Sequence, residues 1–185
     1  MESSGFSVCL FCGSRLGNDP VFVTEARAFG RLLAERGHRL VYGAGDRGIM
    51  GETARAVQNA GGHITGVIPQ HLVDAEIGKS DVDDYIVTDN MHERKMLMFQ
   101  RSDAIITLPG GPGSLDELIE VLTWRQLGLH DKPVVLMNVR GYWDPLITLL
   151  QSTVDNGFAD QSFVEYLSVA TDAKTAMNAL EAAMT

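Results

Sequence analysis

The chain is short of positive charge. It carries 15 lysines and arginines against 24 acidic residues, a formal net charge of −9 over 185 residues. A nucleic-acid binder normally needs a basic face, so no nucleic-acid partner is expected. A small phosphorylated ligand needs only a local positive pocket and is not excluded. No stretch approaches the roughly 18 uninterrupted apolar residues of a membrane span. The segment Met1-Glu2-Ser3-Ser4-Gly5 has neither the basic nor the apolar part of a signal peptide. The expectation is a cytoplasmic protein with no membrane partner. Cysteine is scarce as well: Cys9 and Cys12 stand alone, spaced C-x-x-C. A redox pair usually needs its first cysteine at a helix N-terminus. Cys9 instead lies inside Val8-Cys9-Leu10-Phe11, so two small hydrophobes on a buried strand is the expected reading. The five histidines, His38, His63, His71, His92 and His130, show no H-E-x-x-H spacing, so no metal is expected. No G-x-S-x-G elbow, Walker loop or spaced G-x-G-x-x-G is present. No repeat, low-complexity tract or linker interrupts residues 1–185, which fit one globular domain with an ample core.

Strands and helices alternate along the chain, the mark of an α/β fold with a parallel sheet and helices on both faces. Strands are expected at about Ser7–Cys12, Leu40–Tyr42, His63–Ile68, Tyr85–Val87, Ala104–Leu108 and Pro133–Met137, with an edge strand at Leu167–Val169. Asp19-Pro20 starts a helix that stops at Gly37, Asn90 starts one from Met91 to about Arg101, and Asp172 caps the last. Glu52–Asn59 and Trp143–Val154 are expected to be helical, and Pro69–Asp84 reads as a long loop.

The most informative stretch is Leu108-Pro109-Gly110-Gly111-Pro112-Gly113-Ser114-Leu115-Asp116-Glu117. It joins the apolar strand Ala104–Leu108 to a helical pattern, apolar at Leu115, Leu118, Ile119 and Leu122. A glycine-rich turn there presents unpaired N–H groups beside the positive end of a helix dipole, which is an anion site, most often for phosphate. Open parallel sheets bind ligands at the carboxyl ends of their strands. Ser14-Arg15, the turn from Gly43 through Gly45 to Gly48, and Gly110, Gly111, Gly113 and Ser114 all fall at such ends. A nucleotide-sized crevice follows.

Two cations and one acid stand out around it. Arg94 and Lys95 lie in the first turn of their helix, where the dipole disfavours positive charge by about 0.3–1 kcal/mol each. A nearby phosphate reverses that penalty; pairing with Asp89 or Glu93 on a solvated face is the plainer alternative. Glu117 completes a capping box with Ser114, yet its helical neighbours Val121 and Trp124 are apolar. A carboxylate on an apolar shoulder beside an anion site is a candidate for a shifted pKa. Met91, Met96, Met98 and Phe99 read as core or interface, and with Val121 and Trp124 they fit a helix-to-helix dimer seam.

These motifs resemble a known family. Pro109–Glu117 resembles the PGGxGTxxE motif of the LOG ("lonely guy") family of cytokinin-activating phosphoribohydrolases, and Met91-His92-Glu93-Arg94-Lys95 resembles its MHxRK signature. Cys12-Gly13-Ser14, Val41–Gly45, Gly48–Gly51 and Thr123–His130 support the match, which spans roughly Val8 to Phe158. The resemblance implies a Rossmann-like three-layer sandwich and a homodimer. It implies hydrolysis of the N-glycosidic bond of a nucleoside 5′-monophosphate, typically one with an N6-substituted adenine, to free base and ribose 5-phosphate. Arg94 and Glu117 are then the catalytic pair. Lys95 and Gly110 to Ser114 hold phosphate and ribose, Glu76 corresponds to a ligand-contacting acid, and Ser14, Arg15, Gly43, Gly45, Met91 and Thr123 are further contacts. Two departures are Ser114 for the usual threonine and Ala44 within the usual Gly-Gly-Gly. Many relatives carry a lysine decarboxylase label, but Lys79, Lys95, Lys132 and Lys174 lack the context of a pyridoxal-phosphate lysine, and no cofactor is expected. The competing readings are an AMP nucleosidase of broader specificity and a non-catalytic carrier of a nucleotide or cofactor.

Overall fold

The computed structural model describes residues 5–75 and 78–185. Its centre is a seven-stranded sheet of β1 (Ser7–Phe11), β2 (Arg39–Tyr42), β3 (Ile64–Pro69), β4 (Asp84–Thr88), β5 (Ala104–Thr107), β6 (Val134–Met137) and β7 (Leu167–Ala170). The strand order is β4-β3-β2-β1-β5-β6-β7 and every pairing is parallel. The helices are α1 (Pro20–Glu35), α2 (Gly48–Asn59), α3 (Gln70–Asp74), α4 (Met91–Gln100), α5 (Pro112–Gln126), α6 (Asp144–Asp155), α7 (Ser162–Glu165) and α8 (Ala173–Ala183).

The period of two along the strands sorts the core into two layers. Val8, Leu10, Leu40, Tyr42, Ile64 and Ile106 face α1, α2 and α8, where Phe29, Leu33, Val57 and Met177 meet them. Cys9, Phe11, Val41, Val67 and Ile105 face the other way, onto Met98 of α4, Leu118 and Leu122 of α5, and Leu146 and Leu150 of α6. Both cysteines are free and buried, and burial pushes each thiol's pKa up, so neither is a ready nucleophile.

The chain runs outward from β1 in both directions, β2 to β4 on one side and β5 to β7 on the other. Strand order therefore reverses between β1 and β5, and the ligand crevice of an open sheet lies outside that point. Local signals explain most helix starts. The Asp19 carboxylate accepts the Val21 N–H at 3.0 Å with Pro20 in the first turn, and Asp172 and Thr175 form a reciprocal capping box.

Four boundaries differ from expectation. The 69–84 loop contains α3, and α7 was not foreseen. Helix α2 begins at Gly48, not Glu52, because Gly48 and Gly51 pack against the backbone of Ser14 and Asp46 where a Cβ would overlap. Helix α5 begins at Pro112, so Ser114 lies inside the first turn and no Ser114–Glu117 capping box forms. Proline at the first helical position has no N–H to leave unpaired, which moves the start ahead of the serine.

Candidate active site

The turns after β1, β2 and β5 converge on a cleft of about 370 Å³. It is lined by the small residues Gly13, Ser14, Gly43, Gly45, Gly111, Gly113 and Ser114 and by the apolar residues Leu10, Cys12, Met50, Ile68, Leu72, Met91 and Met98. The charged groups in it are Arg94, Asp116 and Glu117. A second compartment of about 480 Å³ adjoins it across Gly110–Pro112, walled by Arg15, Leu16, Phe22, Ile49, Pro109 and Tyr142. A larger hollow of about 800 Å³ is built from α1 and α2 residues together with Ala60, its neighbour at the α2 C-terminus, so it lies off the strand ends.

The rim at the start of α5 carries unpaired polar groups. Gly111 is the N-cap, Pro112 has no N–H, and among the described residues the Gly111 N–H has no acceptor. The Ser114 hydroxyl is buried without a hydrogen-bond partner, packed beneath Gly110 where a Cβ would overlap it. Buried polar atoms are normally paired, so an orphan hydroxyl at a helix N-terminus suits an incoming acceptor.

Arg94 enters from α4 and is buried, 7% exposed. Its Nε donates to the Val67 carbonyl at 3.2 Å and its Nη2 to the Gly43 carbonyl at 3.1 Å. A Cβ on Gly43 would overlap Nη2, so glycine is required there by the guanidinium. Burial pulls the Arg94 pKa down and the Glu117 carboxylate pushes it back up. Glu117 is the sixth residue of α5. Burial raises its pKa from the ordinary 4.5 to about 7, while Arg94 acts to lower it. Two opposite charges thus face one cleft, with Arg94 held by backbone carbonyls and not by a hydrogen bond to Glu117.

Lys95 goes elsewhere. Helical rotation turns it away from its neighbour Arg94, and its Nζ meets Asp116 at 3.0 Å and Glu120 at 2.9 Å on α5. Neither Asp89 nor Glu93 is its partner; Glu93 instead accepts the Asp89 N–H at 2.9 Å. Thr123 donates to the Ile119 carbonyl at 2.7 Å and does not line the cleft. Arg15 and Gly110 line the adjoining compartment. Glu76 lies outside the described residues. Met98 and Val121 are core, not seam, because they face the sheet, and Phe99 stacks edge-on to Trp124 within the same chain at 5.1 Å. Met91, Met96, Leu115 and Ile119 remain exposed.

Sequence reasoning missed Met50 and Leu72 as cleft residues, and Tyr142, whose hydroxyl donates to the Gly110 carbonyl at 2.5 Å. Nothing in local spacing ties Tyr142 to Gly110, 32 residues away. Ala44 has φ +54° and is fully buried, a backbone state that favours glycine. Among the described residues no group of three or more His, Cys, Asp or Glu is placed to hold a metal ion.

A doubly wound parallel sheet with a glycine-lined cleft at its switch point, holding the buried Arg94 and the half-buried Glu117, defines an α/β protein with a ligand-sized cleft at its strand ends. Residues 50–180 match a family model described as "Possible lysine decarboxylase". The chain is 45% identical over 175 residues to the cytokinin riboside 5′-monophosphate phosphoribohydrolase LOG5 of Arabidopsis thaliana, covering 95% of this chain and 77% of that protein. It is 42% identical to LOG1 of the same plant, covering 98% and 85%. The chain therefore belongs to the LOG family. The molybdenum cofactor binding protein of Rippkaea orientalis superposes with a TM-score of 0.75 at 20% identity, covering 99% of each chain, and shares the fold.

Proposed function

We propose that the chain hydrolyses the N-glycosidic bond of nucleoside 5′-monophosphates, N6-substituted adenosine monophosphates among them, to free base and ribose 5-phosphate. The observation that carries this reading is that Glu117, with a pKa near 7, shares one cleft with Arg94 and the glycine-lined start of α5. The 5′-phosphate lies on the N-terminus of α5, met by the Gly111 N–H and the Ser114 hydroxyl. Glu117 follows Gly111 by six residues and Ser114 by three, a rise along the helix of about 9 and 4.5 Å, so a ribose reaches from the phosphate toward it. As the C1′–N bond breaks, its electron pair leaves with the base and positive charge develops on the sugar ring. The Glu117 carboxylate stabilises that charge and takes a proton from the water whose oxygen bonds to C1′; the departing base is protonated. Remote binding of the phosphate orients the reacting carbon. Lys95 acts here by holding Asp116 and Glu120.

The cleft has no lysine among the described residues, so it offers no amine for a Schiff base of the kind a pyridoxal-phosphate decarboxylase needs. The exposed apolar row Met96, Leu115 and Ile119 supports a homodimer through α4 and α5. Buried free thiols suit the reducing cytoplasm.

The test is chromatography of products after incubation with AMP and with isopentenyladenosine monophosphate. Wild type releases free base; Glu117→Gln and Arg94→Ala do not. Retained nucleotide binding with no base released from either substrate would assign the cleft to carriage instead.

A further inference from the structure

The Gly110–Gly111 peptide joins the two compartments at the switch point. Its carbonyl faces Tyr142 in one compartment. Its N–H belongs to Gly111, which lines both. In a trans peptide the carbonyl and the N–H point in opposite directions, so whatever fixes one aims the other. The two flanking residues are glycines, and glycine's wide φ/ψ freedom makes rotation of this plane cheap.

Tyr142 is placed with unusual care for a residue that is 42% exposed. The β6–α6 turn puts two successive residues, Arg140 at φ +53° and Gly141 at φ +73°, in the left-handed region just before it. The buried Asn138 side chain fastens that turn, accepting the Trp143 N–H and donating to Asp144, both at 2.7 Å. Phe22 and Trp143 hold the Tyr142 ring edge-on at 5.5 and 4.8 Å. Strain in a turn is kept where the surroundings need it. The turn seats Val139 and Trp143 in the core, while the Tyr142 ring between them and the cleft stays half exposed. At its exposed end the turn also delivers the Tyr142 hydroxyl to the Gly110 carbonyl.

We infer that Tyr142 is a positioning residue: by donating to the Gly110 carbonyl it locks the Gly110–Gly111 peptide with the Gly111 N–H facing the anion rim, so that the donor is already oriented when phosphate arrives. This rests on the α5 rim being the phosphate seat, as proposed above. Preorganised donors bind an anion without first reorienting.

Tyr142→Phe tests it, because the ring contacts stay and only the hydroxyl goes. Binding of inorganic phosphate, AMP and adenosine is measured by calorimetry on wild type and variant, alongside KM and kcat. The expected result is about 3- to 10-fold weaker binding of phosphate and AMP. Adenosine, which has no phosphate, binds as to wild type, the melting temperature is unchanged, and the kinetic loss falls in KM. Unchanged phosphate and AMP affinity overturns the inference, as does a parallel loss of adenosine binding, which marks a merely structural role. If wild type itself binds neither phosphate nor AMP, the phosphate seat fails and this inference with it; if wild type binds both and the variant does too, the inference alone fails.

Discussion

Two glycine-rich turns meet at this cleft, and they use most of their glycines differently. In the β2–α2 turn the missing side chains make room for protein. A Cβ on Gly43 would overlap Arg94, one on Gly48 the Ser14 backbone, and one on Gly45 would press on Met50 at 3.2 Å. In the β5–α5 turn Gly110 still makes room for the Ser114 hydroxyl, but Gly111 and Gly113 have nothing within 4 Å of a Cβ, and both line the cleft. The first turn seats the guanidinium; the second leaves a seat for the ligand. A glycine count alone treats the two alike.

Four substitutions break or sharpen that contrast. The largest effect is expected at Glu117, carried by the helix that the open turn starts. Glu117→Gln should lower kcat/KM by about 10²–10⁴-fold, measured by base release, while wild-type activity rises with pH through about 7 as the carboxylate ionises. Its stability should move the other way. The folded pKa lies above the unfolded one, so folding takes up a proton between pH 4.5 and 7 and wild type loses stability as pH rises through that window. Glutamine removes the loss. Thermal melts should show the variant more stable at pH 8, by at most about 3 kcal/mol, and level with wild type at pH 4.

Gly43→Ala comes next. The added methyl displaces Arg94 from its two carbonyls, and we expect a loss of about 100-fold in activity with about 1–3 kcal/mol in stability, read by assay and denaturant titration. Gly113→Ala is its counterpart in the open turn: KM for AMP rises about 10-fold because ligand space is filled, while stability holds or improves by up to about 0.5–1 kcal/mol through helix propensity. A Gly113 variant that destabilised as much as the Gly43 one would erase the distinction between the turns. The smallest effect is expected for Ala44→Gly. Relief of about 1–2 kcal/mol of left-handed strain is offset by a lost buried methyl of about 0.8 kcal/mol and by glycine's chain entropy of about 0.5–1 kcal/mol. The melting temperature should barely shift.

The strands were legible because seven apolar segments bounded by turn residues have few alternatives in a chain this size. Asp19, Asn90 and Asp172 were legible as caps because capping is decided within four residues. The start of α5 was misplaced at Ser114 for the same local reason: the S-x-x-E pattern is a cap only where the chain is not already helical, and Pro112 had started the helix. The site divides likewise. Arg94 and Glu117 were found by motif, but their opposite fates, one held by carbonyls and the other pushed to a pKa near 7, depend on burial that no local window encodes. Lys95, one residue from Arg94, was expected at the phosphate and instead bridges to α5.

Period and punctuation by themselves determined the α/β alternation, the parallel sheet and the glycine-rich stretch that edges the cleft, because each depends on residues adjacent in sequence. The tertiary structure alone decided which glycines are filled and which are open, which of two neighbouring cations enters the cleft, and that Tyr142 reaches Gly110. Those outcomes are set by contacts between segments far apart along the chain, where sterics and desolvation act on whatever the fold brings together.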